Sequence, residues 1–468
     1  MQDRIQFIHT ADLHLGAPLN CGGEPPSRLR SLFNEAGYRV FTELVSRALE
    51  YGVDFVLIAG DVYDREARSV RAARFFFEQC ARLSEEDIPV YVISGNHDPG
   101  GEKREPFSLP DNVHVFSCDE VEEMEYSDEE GRILARVVGQ SYRRKFENRK
   151  MYTYYTPDGD TFNIGLLHSQ LDPRNSRYVP VSAGELQEKE DIDYWALGHI
   201  HEPRLIFSGD SHALYPGTPQ GRDIDEKGVR GCFLIEADRY GEVETEFLPL
   251  SPVIFKEIEV DISAIEGGKP ENISHLEEIL HTEAEALLEE DIQDRQFSGE
   301  NNILRVERSG ETNGGKSSQI KFPEIFQGYI VRWKIRGRAP VHEIIKENRE
   351  ETVSGLIKTL NHLFVERDPF LWTHSLVLQT GEELPDVEAL RENNEVFREI
   401  DDLVEEILSE GEVEKELVES WGEIWQGSSD HEEKEPQKFY PDQETKKEII
   451  LEARRRIIEE LYRREEQE

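Results

Sequence analysis

Residues 193–201, with the sequence DYWALGHIH, join an apolar run to two histidines that are one residue apart. The apolar run predicts a buried β-strand, and residues i and i+2 of a strand face the same side. His199 and His201 can therefore direct two imidazoles at one point, as metal binding requires. Histidines at a strand end are more often solvated or packed in a core, so this pair alone does not establish a metal site.

Four earlier segments repeat the pattern of a buried strand that runs into a polar or glycine-containing end. They are IQFIHTADLH (5–14), DFVLIAGD (54–61), PVYVISGNHD (89–98) and FNIGLLHS (162–169). Apolar residues recur at helical spacing in residues 40–50 and 69–83, between the early strands. This alternation of strands and helices predicts an α/β layered fold.

Three later segments read as strands without helices between them, which predicts a second, more antiparallel sheet. They are GCFLIEADRY (231–240), VETEFLPL (243–250) and VIFKEIEVDI (253–262). The pattern changes near residue 256: residues 270–300 form an acid-rich helical pattern, and two further strands flank a helix near residues 350–365. We therefore expect a first domain over residues 1–255 and a smaller α+β domain over residues 256–382.

The chain beyond residue 382 is predicted to be helical. Two apolar stripes run through residues 383–425: Val396, Ile400, Leu403 and Ile407, then Leu417, Trp421 and Ile424. A polar linker over residues 426–441 and a C-terminal helix over residues 442–468 follow. The sequence leaves the role of the last helix open.

The predicted strand ends carry the candidate metal ligands. The set is Asp12, His14, Asp61, Asn96, His97, His168, His199 and His201. In open α/β sheets, ligands bind at the carboxyl ends of the strands. Carboxylate, amide and imidazole groups without cysteine suit Mn²⁺ better than a thiolate zinc site, and their number exceeds what one ion accommodates. Paired ions polarise a phosphate and stabilise its leaving oxygen, so the set predicts phosphoester hydrolysis.

Composition predicts a cytoplasmic protein of two or three domains. The chain has 468 residues, of which 37% are hydrophobic, and no apolar run reaches membrane-spanning length. The N-terminal sequence leads directly into an alternating strand and not into the apolar block of a signal peptide. The four cysteines are far apart and form no CxxC pair, which argues against a zinc ribbon and a disulfide framework.

The formal net charge of -44 restricts how this chain could bind nucleic acid. A polyanion repels phosphates, so DNA binding would require a local basic patch, bound cations, a partner or high salt. A salt-adapted host and an ordinary solvated acidic surface explain the charge equally well.

The ordered motifs DxH, GDxxD, GNHD, a lone histidine and GHxH resemble the calcineurin-like metallophosphoesterases over residues 4–255. Within that superfamily, HTADLHLG, GDVYDRE, ISGNHDP and ALGHIHEP resemble the SbcD-type DNA repair exonucleases, including their YhaO-like branch. YPGTPQGRD (215–223) and YIVRWKIRGRAPVHEII (329–345) extend the resemblance. It implies an α/β fold with a two-sheet β-sandwich flanked by helices, a smaller α+β capping domain and C-terminal helices.

The resemblance also implies roles for the site residues. Asp12, His14, Asp61 and His201 would hold a first Mn²⁺, with Asp61 bridging, and Asn96, His168 and His199 would complete a second. Mg²⁺ or another divalent ion is an alternative. His97 would protonate the departing 3′ oxygen, because an imidazole titrates near neutrality. Asp64 would orient His97, although a helix-start carboxylate explains Asp64 nearly as well.

The segment GRILARVVGQSYRRKFENRK (131–150) is the most basic region of the chain. Arg143, Arg144, Lys145 and Arg149 are candidate DNA phosphate contacts, and Tyr142 is a candidate for base stacking. A solvated charged face is the alternative. The resemblance further implies that residues 383–425 dock on a coiled-coil, SMC-like ATPase of the SbcC type, and it allows a homodimer; packing within their own domain explains those helices equally well.

The sequence thus predicts a Mn²⁺-dependent DNA exonuclease of double-strand-break repair, for which endonuclease activity is a further expectation. Two alternatives stay open. One is a phosphoesterase for small molecules or phosphoproteins, although the GDxVDRG phosphatase pattern is incomplete. The other is a non-catalytic scaffold with a structural metal site.

Overall fold

The computed structural model describes residues 4–64, 69–101, 107–157, 161–171, 177–239, 241–265, 268–289, 325–382, 395–409, 447, 449–451, 453–454 and 456–457. The chain divides into two compact units. One comprises Met1–Gly337 and Ile344–Gln379, and the other comprises Arg338–Glu343 and Thr380–Glu468. The domain boundaries at residues 255, 382, 425 and 441 stay a prediction.

The strands and helices are numbered in chain order. The strands are β1 (Arg4–Thr10), β2 (Phe55–Ala59), β3 (Val90–Ile93), β4 (Val113–Val115), β5 (Glu122–Ser127), β6 (Ile133–Gly139), β7 (Phe162–His168), β8 (Tyr194–Gly198), β9 (Arg204–Phe207), β10 (His212–Tyr215), β11 (Gly231–Asp238), β12 (Val243–Pro249), β13 (Val253–Asp261), β14 (Gly328–Arg338) and β15 (Phe370–Gly381). The helices are α1 (Ser27–Tyr51), α2 (Val70–Ser84), α3 (Ala183–Gln187), α4 (Ile273–Glu289), α5 (Val341–Glu347), α6 (Arg349–Phe364) and α7 (Glu395–Ser409).

Two six-stranded sheets form the larger part of the first unit. Their orders are β12-β11-β1-β2-β3-β4 and β5-β6-β7-β8-β10-β9. The inner faces meet in an apolar core in which Phe7 stacks on Phe55 at 4.8 Å and contacts the edge of Tyr194 at 5.6 Å. Helices α1 and α2 cover the outer face of the first sheet. The predicted α/β architecture of two sheets flanked by helices is confirmed.

The prediction that β11, β12 and β13 form a separate antiparallel sheet is wrong. Strand β11 pairs antiparallel with β1 and with β12, so both strands extend the first sheet. Strand β13 instead pairs in parallel with β14 in a three-stranded sheet of order β13-β14-β15. Apolar alternation identified these strands, but it does not encode which partner each strand pairs with.

The three-stranded sheet belongs to the first unit and packs against helix α1. Leu32 and Phe33 of α1 share an apolar cluster with Val253, Ile330 and Phe370 of the three strands. As predicted, β14 and β15 flank helix α6, and α4 covers the acid-rich segment that begins after residue 270. The three-stranded sheet therefore packs on the same helix, α1, that also covers the first sheet.

In the second unit, helix α7 carries the first of the predicted apolar stripes. Ile407 is buried, whereas Val396 and Leu403 are about half exposed, at 50% and 52%. Asp401 forms an ion pair of 2.6 Å with Arg454. The stripe Leu417, Trp421 and Ile424, the residues 426–441 and most of the predicted C-terminal helix lie outside the described residues.

Two expectations from composition can be compared with the structure. The described helices include none that is both long and apolar enough to cross a membrane. Cys21, Cys80, Cys118 and Cys232 are free thiols, as their spacing predicts.

The close approach of the two sheets at one edge requires glycine at position 198. A Cβ atom on Gly198 would lie 1.8 Å from the carbonyl oxygen of Ala59 at the end of β2 and 3.0 Å from Nδ1 of His168. The obstacle includes backbone, so it cannot rotate away. This contact brings the ends of β2, β7 and β8 together.

We expect Gly198→Ala to lower the free energy of unfolding by about 3 kcal/mol or more, because the sheets must separate to admit the methyl group. The matched control is Gly37→Ala within α1, where the new Cβ meets no atom within 4 Å. Alanine there should stabilise the helix by about 0.5–1 kcal/mol. Urea unfolding followed by tryptophan fluorescence measures both effects, and equal stability of the two variants would contradict this account.

Buried His9 makes stability depend on pH. Its Nε2 donates to the carbonyl of Leu197 at 3.2 Å, and its Nδ1 accepts from the hydroxyl of Tyr194 at 2.9 Å. Burial lowers the pKa of His9 to about 3. Between about pH 6.5 and pH 3 the unfolded chain binds a proton that the folded chain does not, so His9 makes the folded state less stable as the pH falls through this range.

The variant His9→Gln should show a shallower loss of stability between pH 6 and pH 4. The difference in slope should approach about 1.4 kcal/mol per pH unit, the value for one proton. Urea titrations of both proteins at several pH values measure the slopes. Parallel curves for the variant and the wild type would show that His9 is not the responsible group.

Candidate metal centre

The candidate ligands lie at sharp backbone turns at the carboxyl ends of parallel strands. Asp12, His14, Asp61 and His199 have positive φ values of 53°, 45°, 52° and 101°. Such conformations cost a non-glycine residue about 1–3 kcal/mol and cluster at functional sites. The N–H of Asp12 donates to the carbonyl of Gly60 at 3.0 Å and that of His14 to the carbonyl of Asp61 at 3.0 Å, which fixes the two turns side by side.

Asp12, His14 and His201 form a first cluster, in which their potential ligand atoms all lie within 4.8 Å of one another. Nδ1 of His201 donates to Glu226 at 2.5 Å, so its Nε2 is left with a lone pair. This Nε2 lies 3.3 Å from Nε2 of His14. Nδ1 of His14 is buried without a hydrogen-bond partner and lies 3.9 Å from the Asp64 carboxylate. Two facing imidazole nitrogens beside a buried carboxylate fit a metal cation.

Asn96, His168 and His199 form a second cluster, in which two imidazole nitrogens lie close to one amide oxygen. Nδ1 of His168 donates to the carbonyl of Ala59 at 2.8 Å, which leaves its Nε2 as an acceptor. That Nε2 lies 2.9 Å from Oδ1 of Asn96, and Nδ1 of His199 lies 2.8 Å from the same oxygen. Acceptors that face one another in a buried site are stabilised by a cation between them.

Asp61 lies between the two clusters. Its Oδ2 is 3.5 Å from Nε2 of His168 and 4.0 Å from Nε2 of His14, and its Oδ1 accepts from the N–H of His97 at 2.8 Å. The structure thus brings together the seven residues predicted as ligands, with Asp61 where a shared carboxylate would lie. Their individual roles as ligands stay a prediction.

Burial shifts the pKa values of most of these groups toward their uncharged forms. Desolvation raises the pKa of the Asp61 carboxyl to about 6 and also raises that of Asp12. Desolvation lowers the pKa of His199 to about 2 and lowers those of His14 and His168. These three imidazoles are therefore neutral, which is their ligating form, and a cation would offset the cost of ionising the buried carboxyls. The pKa of His201 is instead raised, because desolvation is outweighed by its hydrogen bond to Glu226 together with the nearby carboxylate charges.

His97 lies beside the clusters, and 34% of its side chain is exposed, against 27% for His201. Its Nδ1 is 3.3 Å from the Asp64 carboxylate, and this hydrogen bond raises the pKa of His97. Arg222 also donates to Asp64, at 3.3 Å. The structure thus places Asp64 where the sequence predicted it, in contact with His97. The role of each residue in catalysis stays a prediction.

Sequence reasoning did not identify Glu226, Arg222 or Asp98 as parts of the site. Glu226 accepts from both His201 and the backbone N–H of Arg222, at 2.5 and 2.6 Å, and thereby links the first cluster to the Asp64 and His97 pair. Buried Asp98 accepts from the N–H groups of Gly95 and Tyr63, at 2.8 and 3.2 Å, and so fixes the loop that carries Asn96 and His97. The sequence YPGTPQGRD was a signal for Arg222, through the resemblance alone.

The predicted base-stacking role of Tyr142 is wrong. The Tyr142 ring is fully buried and contacts the edge of His168 at 5.2 Å. It therefore supports the second cluster from behind and presents no face to a substrate.

Much of the predicted basic region is paired with carboxylates. Arg132, Arg136, Arg149 and Lys150 form ion pairs with Asp128, Glu123, Glu147 and Glu185, at 2.6, 3.0, 2.6 and 2.5 Å. Arg143 lies 3.4 Å from Asp119 at an exposed position, Arg144 is exposed and Lys145 is partly exposed. The candidate DNA contacts Arg143, Arg144, Lys145 and Arg149 stay predictions. Among them, Arg149 has its charge compensated by the neighbouring carboxylate of Glu147.

The match to a known family concerns the part of the chain that carries the candidate ligands. Residues 5–203 match the family described as calcineurin-like phosphoesterase, so this part of the chain is a calcineurin-like metallophosphoesterase domain. The resemblance deduced from the five strand-end motifs is confirmed.

The chain is also similar in sequence to three individual proteins. The chain is 35% identical over 262 residues to the uncharacterized metallophosphoesterase YhaO of Bacillus subtilis. This alignment covers 55% of this chain and 64% of the relative. The chain is 29% identical over 267 residues to the DNA double-strand break repair protein Mre11 of Methanopyrus kandleri, covering 52% and 56%. It is 24% identical over 281 residues to the SbcD component of the nuclease SbcCD of Bacillus subtilis, covering 52% and 68%. The alignments with YhaO and Mre11 thus span less than two thirds of those relatives.

We expect isothermal titration with Mn²⁺ to detect two ions per wild-type chain. Asp61→Asn should weaken the binding of both ions, because one shared charge is lost from both clusters. Asn163→Ala, on β7 but outside the clusters, is the control that keeps both ions. Loss of one ion alone, with the other unaffected, would show that Asp61 does not bridge.

Proposed function

We propose that this protein is a Mn²⁺-dependent DNA phosphodiesterase that acts as an exonuclease, with endonuclease activity as an additional expectation. The observation that carries the proposal is the imidazole of His97, hydrogen-bonded to Asp64, beside the first and second clusters, with Asp61 between them. The Mre11 and SbcCD relatives support DNA as the substrate, because their names describe break repair and nuclease function.

The residues of the site divide the work of phosphodiester hydrolysis. Asp12, His14, Asp61 and His201 would hold one divalent cation, and Asp61, Asn96, His168 and His199 the other. Bound as a pair, such cations supply charge neutralisation at the phosphate and activation of the attacking water. His97 donates the proton that the departing 3′ oxygen requires, and Asp64 keeps its imidazole protonated and oriented. Glu226 holds the tautomer of His201 in which Nε2 faces the cation.

A substrate panel tests the proposal. With Mn²⁺, purified protein should degrade linear duplex or single-stranded DNA and leave nucleotide monoesters and phosphopeptides largely intact. A salt series belongs in the assay, because the net charge of -44 opposes DNA binding to a degree that depends on ionic strength. Hydrolysis of monoesters or phosphopeptides with DNA left intact would favour the phosphatase alternative, and no hydrolysis of any substrate would favour the scaffold alternative.

Replacing the proposed general acid should separate catalysis from metal binding. We expect His97→Ala to lower kcat on DNA by about 10²–10⁴-fold, the usual contribution of a positioned acid, while two Mn²⁺ ions still bind. The control His275→Ala, in helix α4 and remote from the site in sequence, should retain activity. Unchanged hydrolysis by His97→Ala would remove the proposed acid.

We further propose that the segment 383–425 binds an SMC-like ATPase of the SbcC type. In the described part of this segment, the half-exposed Val396 and Leu403 of α7 support a docking role for the apolar stripe. The SbcCD relative supports it as well, because its name describes one component of a nuclease that has more than one. Cytoplasmic location and a homodimer belong to the same proposal.

A further inference from the structure

An exposed aromatic ring lies two ring contacts away from the second metal cluster. Phe146 is 51% exposed, and its ring centroid lies 5.8 Å from that of Tyr178. The Tyr178 ring lies in turn 4.6 Å from the imidazole of His199. Aromatic rings therefore continue from a candidate metal ligand to the protein surface, and the last of them presents a free portion of its face or edge to solvent.

Two cations flank the exposed ring. The guanidinium carbon of Arg177 lies 5.4 Å from the Phe146 centroid, and the ammonium of Lys145 lies 5.8 Å from it. Both cations lie over the ring in cation–π contact. The part of the ring that stays exposed can stack on a base while the cations neutralise neighbouring phosphates, the combination by which proteins bind single-stranded nucleic acid. Such stacking tolerates any sequence, since every base has a π-face.

The loop that carries Phe146 is held rigidly from below. The buried carboxylate of Glu147 accepts from the backbone N–H of Arg149 at 3.2 Å and from two guanidinium nitrogens of Arg149, at 2.8 and 2.6 Å. The N–H of Glu147 donates to the carbonyl of Arg177 at 2.8 Å, and the N–H of Val179 donates to the carbonyl of Glu147 at 2.6 Å. These hydrogen bonds hold the segment that carries Lys145 and Phe146 against the segment that carries Arg177.

Backbone strain at Val179 marks the same place. Val179 has a φ of 40°, which is rare for a β-branched residue, and it directly follows Tyr178. Such strain persists where the surrounding structure holds a residue in place for another purpose. Here it fixes Tyr178 between His199 and Phe146.

We propose that Phe146, flanked by Lys145 and Arg177, is a stacking platform for an unpaired nucleobase of the strand whose phosphate is hydrolysed at the metal centre. The proposal rests on the proposed function, since it names how a DNA strand is held beside that site. It implies that the strand approaches unpaired, because a base within a duplex does not expose its face. The substrate of this platform is thus a single strand or a frayed end.

The test compares Phe146→Ala with Phe146→Trp. Binding is measured by fluorescence anisotropy with a single-stranded phosphorothioate oligonucleotide that resists hydrolysis. We expect Phe146→Ala to weaken binding by about 5- to 150-fold, the usual effect of removing one stacked base, and Phe146→Trp to retain it. An oligonucleotide without bases should bind the wild type and Phe146→Ala equally. Tyr154→Ala, at a tyrosine that is 73% exposed, is the matched control for loss of a surface aromatic.

A chromogenic phosphodiester without a nucleobase distinguishes the two levels of failure. Phe146→Ala should hydrolyse it at the wild-type rate. If the wild type hydrolyses this diester but neither binds nor cuts DNA, the proposed function fails, and the platform fails with it. If the wild type cuts DNA and Phe146→Ala binds it equally well, the platform alone is overturned. A change in sedimentation without a change in DNA binding would also overturn it and would assign Phe146 to a contact between copies of the chain.

Discussion

Buried acceptor atoms that face one another are the constraint on which the rest of the structure depends. Because Nδ1 of His168 donates to the carbonyl of Ala59, its Nε2 is an acceptor, and this Nε2 faces the acceptor Oδ1 of Asn96 at 2.9 Å. Desolvated acceptors of this kind repel one another unless positive charge lies between them. Folding brings them together because the two sheets are held at close approach by Gly198 and by the sandwich core, so the core pre-forms a site whose charge only cations complete.

The strands and the grouping of the candidate ligands could be predicted because both depend on local sequence. A buried parallel strand is a short apolar run, and the residues that follow it lie at its carboxyl end. The positions of motifs such as GNHD and GHIH can therefore be predicted from the strands that precede them. Glu226 and Arg222 could not be found in this way. They lie in the polar sequence GRDIDEKG, which looks like an ordinary surface turn, and their role comes from contacts with His201 and Asp64, which are distant in sequence.

The same reasoning explains the predictions that failed. Tyr142 lies in a basic segment, which made its ring a candidate for stacking, yet its N–H donates to the carbonyl of Ser94 at 2.9 Å and its buried ring packs against His168. The sequence predicts strands β11 and β12 in a separate sheet, but they join the first one, because β11 pairs with the edge of β1 and β12 pairs with β11. Pairing partners and burial depend on tertiary contacts, and a single strand does not report them.

In the proposed DNA binding, the attraction of DNA depends more on which cationic side chains are free of ion pairs than on the net charge. The Debye length at physiological ionic strength is about 8 Å, so an incoming phosphate responds mainly to charges within that distance of it and not to the total of -44. Around the site, Arg136 and Arg149 are already compensated by Glu123 and Glu147. Attraction must then come from cations in the two clusters and from residues such as Lys145 and Arg177 that flank the Phe146 ring. The proposed DNA binding is therefore compatible with an acidic chain, because charges near the site decide the attraction.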